Sequence, residues 1–95
     1  LISGASLRYI SNMTEKNIAL FISTHETLRA EKFLQDGGID FKTVIKPRNI
    51  TSECGMGLEF YNRDKEIVLK ICKENKLMLA GIFFKREDGS WEKIE

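Results

Sequence analysis

The side chains of this 95-residue chain best able to act as nucleophile, redox centre or soft metal ligand are two cysteines, Cys54 and Cys72, and one histidine, His25. A zinc site needs three or four ligands at suitable spacing, so these three scattered groups supply none, and no metal is expected. Cys54 stands out by its surroundings, the segment KPRNITSECG from Lys46 to Gly55. Connections between antiparallel neighbours usually take roughly two to five residues, and this one is longer. Pro47 fixes the chain as it leaves a strand, and Gly55 permits close backbone approach beside the thiol. Arg48 and Ser52 lie between them, with the arginine placed to hold an anion.

A thiol reacts as its thiolate, which a helix N-terminus and nearby cations favour. His25, Lys46 and Arg48 would act in that direction on Cys54, and Glu53 in the opposite one. The net effect has no sign from sequence alone. Each residue also has a plainer reading. Cys54 can be a small buried hydrophobe that begins a strand, His25 a capping or surface residue, and Arg48 a solvated loop charge. Cys72 falls on the apolar stripe of a helix and reads as core, with a resolving thiol as the alternative.

The elements that position these groups follow from hydrophobic period. Asn17 to Ser23 is a β-branched and aromatic run with apolar residues on both faces, which reads as a central strand. Ser23 followed by Glu26 resembles a capping box and opens a helix lined by Thr27, Ala30, Phe33 and Leu34. Gly37 and Gly38 stop it. Phe41 to Lys46 alternates as an edge strand guarded by lysines. Met56 to Tyr61 is a third strand with Leu58 and Phe60 inward. Asn62 caps a second helix with the stripe Ile67, Val68, Ile71 and Cys72, and Leu77 to Phe84 is the fourth strand. The tail from Glu87 is a polar run around Trp91.

This order predicts an α+β, ferredoxin-like β-α-β-β-α-β sandwich, with sheet order 4-1-3-2 and two helices on one face. Residues 1–16 are read as an N-terminal extension, either a non-native leader or a cap, residues 17–86 as the single domain, and residues 87–95 as a tail. Ala19, Phe21, Met78, Ala80, Ile82 and Phe84 are assigned to the open face. The N-terminal stretch, the tail with Trp91 or a second copy of the chain would have to cover them, so a homodimer is expected. The topology brings the first strand's end, the first helix's start and the loop carrying Cys54 to one end of the sheet.

Composition narrows the field. With 42% hydrophobic and 31% charged residues and one proline, the chain is that of an ordinary globular domain. Fifteen basic against fourteen acidic residues leave a formal net charge of +1, which points to neither nucleic acid nor an anionic membrane. Phe21 and Tyr61 are therefore read as covered core rather than as base-stacking rings. No apolar run approaches the roughly 20 residues that span a bilayer, and the first residues lack the form of a secretory signal. Two unlike, distant cysteines suggest reduced thiols in a cytoplasmic setting. Gly55-Met56-Gly57 leads into a strand, so it is no phosphate loop, and no cofactor is expected.

The stretch STHETLRAEKFLQDGGIDFKTVIKPRNITSECGMGLEF, with Ser23, His25, Ala30 and Glu31, then Pro47-Arg48 and Cys54-Gly55, resembles the putative Se/S carrier protein-like family of small bacterial domains. The likeness runs from about Asn17 to Phe84. It implies that Cys54 carries sulfur or selenium as a persulfide or selenosulfide, in a pocket shaped by Pro47, Arg48, Ser52 and Gly55, with His25 tuning the thiol. The partner would be a donor protein such as a cysteine desulfurase, and the chain a carrier more than an enzyme. The alternative is a regulatory or assembly module that binds an anion or a protein through the Lys46 to Gly55 loop, with Cys54 structural. An exposed sulfur at a cleft mouth is expected of a carrier. The alternative allows a sulfur sealed in apolar packing.

Overall fold

A computed structural model describes residues 15–50, 52 and 54–95. Its elements are β1 (Lys16–Phe21), α1 (Thr24–Asp36), β2 (Phe41–Ile45), β3 (Met56–Tyr61), α2 (Lys65–Glu74), β4 (Leu79–Lys85) and β5 (Trp91–Lys93). The five strands form one antiparallel sheet in the order β2-β3-β1-β4-β5. Read from the β4 side, the first four strands stand 4-1-3-2. The difference from the sequence reading is β5. Trp91–Lys93 turns back on a tight hairpin, in which Gly89 adopts φ +89°, and pairs with β4, Lys85 opposite Trp91 and Phe83 opposite Lys93.

Local chemistry accounts for α1. Ser23 is extended, and its Oγ accepts from Glu26 N at 3.2 Å, which satisfies one of the free donors of the first turn. The helix ends where Gly38 takes φ +74°, with Gly38 N donating to Gln35 O and Ile39 N to Leu34 O. These paired bonds form the left-handed glycine stop that the sequence predicts. The start of α2 differs from expectation. A 3₁₀ turn over Asn62–Asp64 precedes it, and the Asn62 side chain accepts from Asn17 Nδ2 at 2.9 Å instead of capping the helix.

The helix-side core joins Ala19, Phe21, Leu58, Phe60 and Ile82 of the sheet to Ala30 and Leu34 of α1 and Val68 and Cys72 of α2. This corrects the assignment of Ala19, Phe21 and Ile82 to the open face. Both faces of β1 are apolar, so alternation marks two sets without saying which one the helices take. The opposite face carries Ile18 and Leu20, packed by Ile50 from the long loop and by Val44, Phe83 and Trp91. The tail and the loop thus supply cover for that face. The N-terminal stretch, another of the proposed covers, falls almost wholly outside the described residues. Ile67, expected in the stripe of α2, is exposed, because the buried face centres on Val68 and Cys72 with Leu69 and Ile71 beside them.

Candidate functional site

Cys54 sits where the sequence places it, against the first turn of α1. Its Sγ lies 3.1 Å from Thr27 Oγ1 and donates to the Met56 carbonyl at 3.2 Å. Thr27 Oγ1 also donates to Ser23 O at 3.1 Å, back to the residue that caps the helix. Cys54 is 1% exposed. An open sulfur at a cleft mouth is therefore not what the fold presents, and that expectation is corrected. The sulfur is enclosed between the first turn of α1, through Thr27, and the start of β3, through the Met56 carbonyl, while the same loop drops Ile50 onto Ile18 and Leu20 on the other face of the sheet.

Lys46 closes the loop twice. Its backbone N donates to Gly55 O at 2.9 Å, continuing the β2-β3 ladder, and its Nζ donates to Ser52 O at 2.9 Å. Its Nζ is thereby held to the loop's own backbone. Ser52 Oγ accepts from Cys54 N at 3.4 Å, a long bond, and Ile50 N donates to Pro47 O at 3.2 Å in the turn. Pro47 is partly buried, while Arg48, Gly55 and His25 are exposed. Neither His25 nor Arg48 is a hydrogen-bond partner of Cys54. Glu53, the opposing charge of the sequence reading, lies outside the described residues.

Sequence reasoning missed two neighbours of the thiol end. Thr27 reads as one more stripe residue of α1, yet its hydroxyl is the side-chain group that meets the sulfur. Glu26 reads as half of a capping box, but its carboxylate turns away from Ser23. It accepts from Arg29 Nη1 at 2.8 and 3.0 Å and from Met78 N at 2.9 Å, and Arg29 reaches on to Asn75 O at 3.4 Å. The Arg29 bonds first, then the Met78 amide, hold this carboxyl below its usual range. The cluster ties α1 to the segment joining α2 and β4.

Cys72 lies in the helix-side core at 4% exposure, and burial pushes its thiol up to about 11. A thiol so placed is a poor resolving nucleophile at neutral pH. Cavities of about 330, 380 and 330 Å³ open elsewhere on the molecule, the third of them against Cys72, and Cys54 lines none of these. Among the described residues no group of three or more His, Cys, Asp or Glu side chains could hold a metal ion. No helix among them is long and apolar enough to cross a membrane.

The family model described as Putative Se/S carrier protein-like matches residues 16–83. The chain belongs to that family. No curated protein and no solved structure matches the chain. In this Se/S carrier-like domain the match takes in β1, both helices, the whole Lys46 to Gly55 loop and most of β4. Cys54, Thr27, Glu26 and Ile50 all fall inside it, whereas β5 and its covering Trp91 fall outside.

Proposed function

We propose that this protein is a sulfur or selenium carrier, and that its cargo rides on Cys54 as a persulfide or selenosulfide. What carries the reading is the contact between Cys54 Sγ and Thr27 Oγ1 at the first turn of α1, within the family match. An anionic sulfur there gains from the partial positive charge of the helix start and from a hydroxyl that can turn to donate to it. The transfer balances as thiol–persulfide exchange. Cys54 sulfur attacks the terminal sulfur of a donor persulfide, a new S–S bond forms on Cys54, and the donor's S–S bond breaks. The donor leaves as a thiol with the proton that Cys54 gives up. Pro47 and Arg48 shape the turn of the loop, Ser52 and Gly55 flank the thiol in sequence, and His25 stands exposed at the start of the helix that Thr27 joins to Cys54.

Loading needs room that the buried site does not give, so Cys54 must part from Thr27 and the start of α1 before a donor can reach the sulfur. The same burial favours a second reading, in which Cys54 is a structural thiol and the Lys46 to Gly55 loop is the binding element of a regulatory or assembly module. Incubation with a cysteine desulfurase and cysteine, followed by intact mass and peptide mapping, separates the two. A carrier gains one sulfur atom on Cys54, loses it to a reducing thiol, and gains none as Cys54→Ser. Absence of any gain, or a gain confined to Cys72, would falsify the carrier reading.

A further inference from the structure

Five large apolar side chains are strongly exposed among the described residues: Ile22, Leu28, Ile45, Ile67 and Met78. Four of them gather at the end of the molecule where Cys54 lies. Ile22 follows the last residue of β1 and donates its backbone N to Met78 O, just before β4. Ile45 is the last residue of β2 and is 86% exposed. Leu28 lies one turn along α1 from His25 and Thr24, on the solvent side of the helix that Thr27 joins to Cys54. Only Ile67, in the first turn of α2, is at the opposite end.

Basic groups surround these side chains. Arg48, Lys73 and Lys76 are exposed, Lys46 is partly so, and none of the four forms an ion pair with a described residue. The acids here are Glu26, already neutralised by Arg29 at 2.8 Å, the exposed Glu74, the exposed Glu95, which lines a cavity with Lys73, and in the loop sequence Glu53. The balance is positive, on a chain whose overall charge is +1.

From this clustering we infer that the Cys54 end is a protein docking surface, and that its occupant is a sulfur-donor protein presenting an apolar centre rimmed by Asp and Glu. The inference rests on the carrier reading for the donor's identity, while the surface itself does not. A second copy of the chain fits badly, because an isologous contact would set this basic patch against the same basic patch. A membrane fits less well than a protein, since the exposed side chains are aliphatic and lack the Trp and Tyr that favour lipid interfaces. An apolar centre with a charged rim is the usual anatomy of a protein contact.

The test uses the full chain with a purified cysteine desulfurase as probe, following binding and sulfur gain on Cys54 against carrier concentration. Ile45→Lys, Met78→Lys and Arg48→Glu should each raise the half-saturating concentration by roughly tenfold. Ile67→Lys, half-exposed at the other end, should leave it unchanged. Transfer with the same concentration dependence in all four variants removes the docking surface and keeps the carrier. Binding without transfer, lost in Ile45→Lys, keeps the surface and removes the carrier. Neither binding nor transfer removes both. Co-sedimentation with phosphatidylglycerol vesicles, or a dimer in sedimentation that Ile45→Lys dissolves, assigns the surface to lipid or to self-association and overturns the proposal.

Discussion

Thr27 Oγ1 and Cys54 Sγ lie 3.1 Å apart although 27 positions separate them in the chain. That contact joins the first turn of α1 to the loop between β2 and β3, and it decides how the thiol is held. The hydroxyl and the Met56 carbonyl occupy the places that the sequence reading gave to His25 and Arg48. Shielding of the sulfur is accordingly a property of backbone placement and one small side chain, and long cations contribute no contact to it.

Replacing Thr27 with Val keeps the shape and β-branching of the side chain and removes the hydroxyl. Ser23 O retains its bond from Thr27 N at 3.0 Å, and Cys54 retains Met56 O, so the loss is one buried hydrogen-bonded group. The expected cost is about 1 kcal/mol, read as a lower urea midpoint at unchanged slope. On the carrier reading the variant should also take up sulfur on Cys54 more slowly. Unchanged uptake would restrict Thr27 to packing.

Ile50 is 4% exposed and seats the loop on Ile18 and Leu20. Ile50→Ala deletes much of that seat, and an aliphatic truncation of this kind costs about 2 kcal/mol at a site that can partly collapse. Alkylation of Cys54 in the native protein should become faster, while Cys72, in the other core, should not change. Equal acceleration at both cysteines would mean that Ile50 stabilises the whole domain and does not specifically close the loop over the thiol.

Much of this was legible from the chain, and the rest was hidden for identifiable reasons. The apolar run of β1, the Ser23 cap and the Gly37-Gly38 stop are local signals, and each produces the element it predicts. The assignment of faces is not local. Ile18 and Leu20 are as apolar as Ala19 and Phe21, so only the packing of α1 and α2 distinguishes core from cover. Strand β5 has three residues and no alternation to reveal it. The burial of Cys54 depends on its meeting Thr27 across 27 positions of the chain, which neither spacing nor composition encodes. Glu26 misled because its i,i+3 spacing from Ser23 matches a capping box, whereas Arg29 and the Met78 amide compete for its carboxylate and win.

That competition gives Glu26 a pH signature. Its carboxyl is held below the ordinary value of 4.5, chiefly by the Arg29 bonds and then by the Met78 amide. A depressed carboxyl adds stability that is fully present above the unfolded-state value and is lost as pH falls through the lower folded-state value. Unfolding midpoints measured from neutral pH downward should therefore decline below about pH 4.5. Glu26→Gln should start lower at pH 7 and decline less steeply. A parallel decline in wild type and variant would assign the acid sensitivity to other carboxylates.

Gly57 faces Val44 across the β2-β3 ladder and lies beneath the cluster that seats the loop. A Cβ there would stand 2.7 Å from Ile18 Cγ1 and Cδ1 and 2.8 Å from Leu20 Cδ2. No positive φ is involved, so the requirement for glycine is one of space. Both neighbours are buried and pinned from above by Ile50, which leaves them little room to yield. Gly57→Ala should cost roughly 1–3 kcal/mol by overpacking. Gly55→Ala, whose Cβ would meet nothing within 4 Å, should stay within about 0.5 kcal/mol of wild type. Because Ile18 and Leu20 can relieve the clash only by rising toward Ile50, the Gly57 variant should also loosen the loop and speed Cys54 alkylation. Lost stability without faster alkylation would show that the sheet absorbs the strain sideways, and that the seat of Ile50 is independent of the strand beneath it.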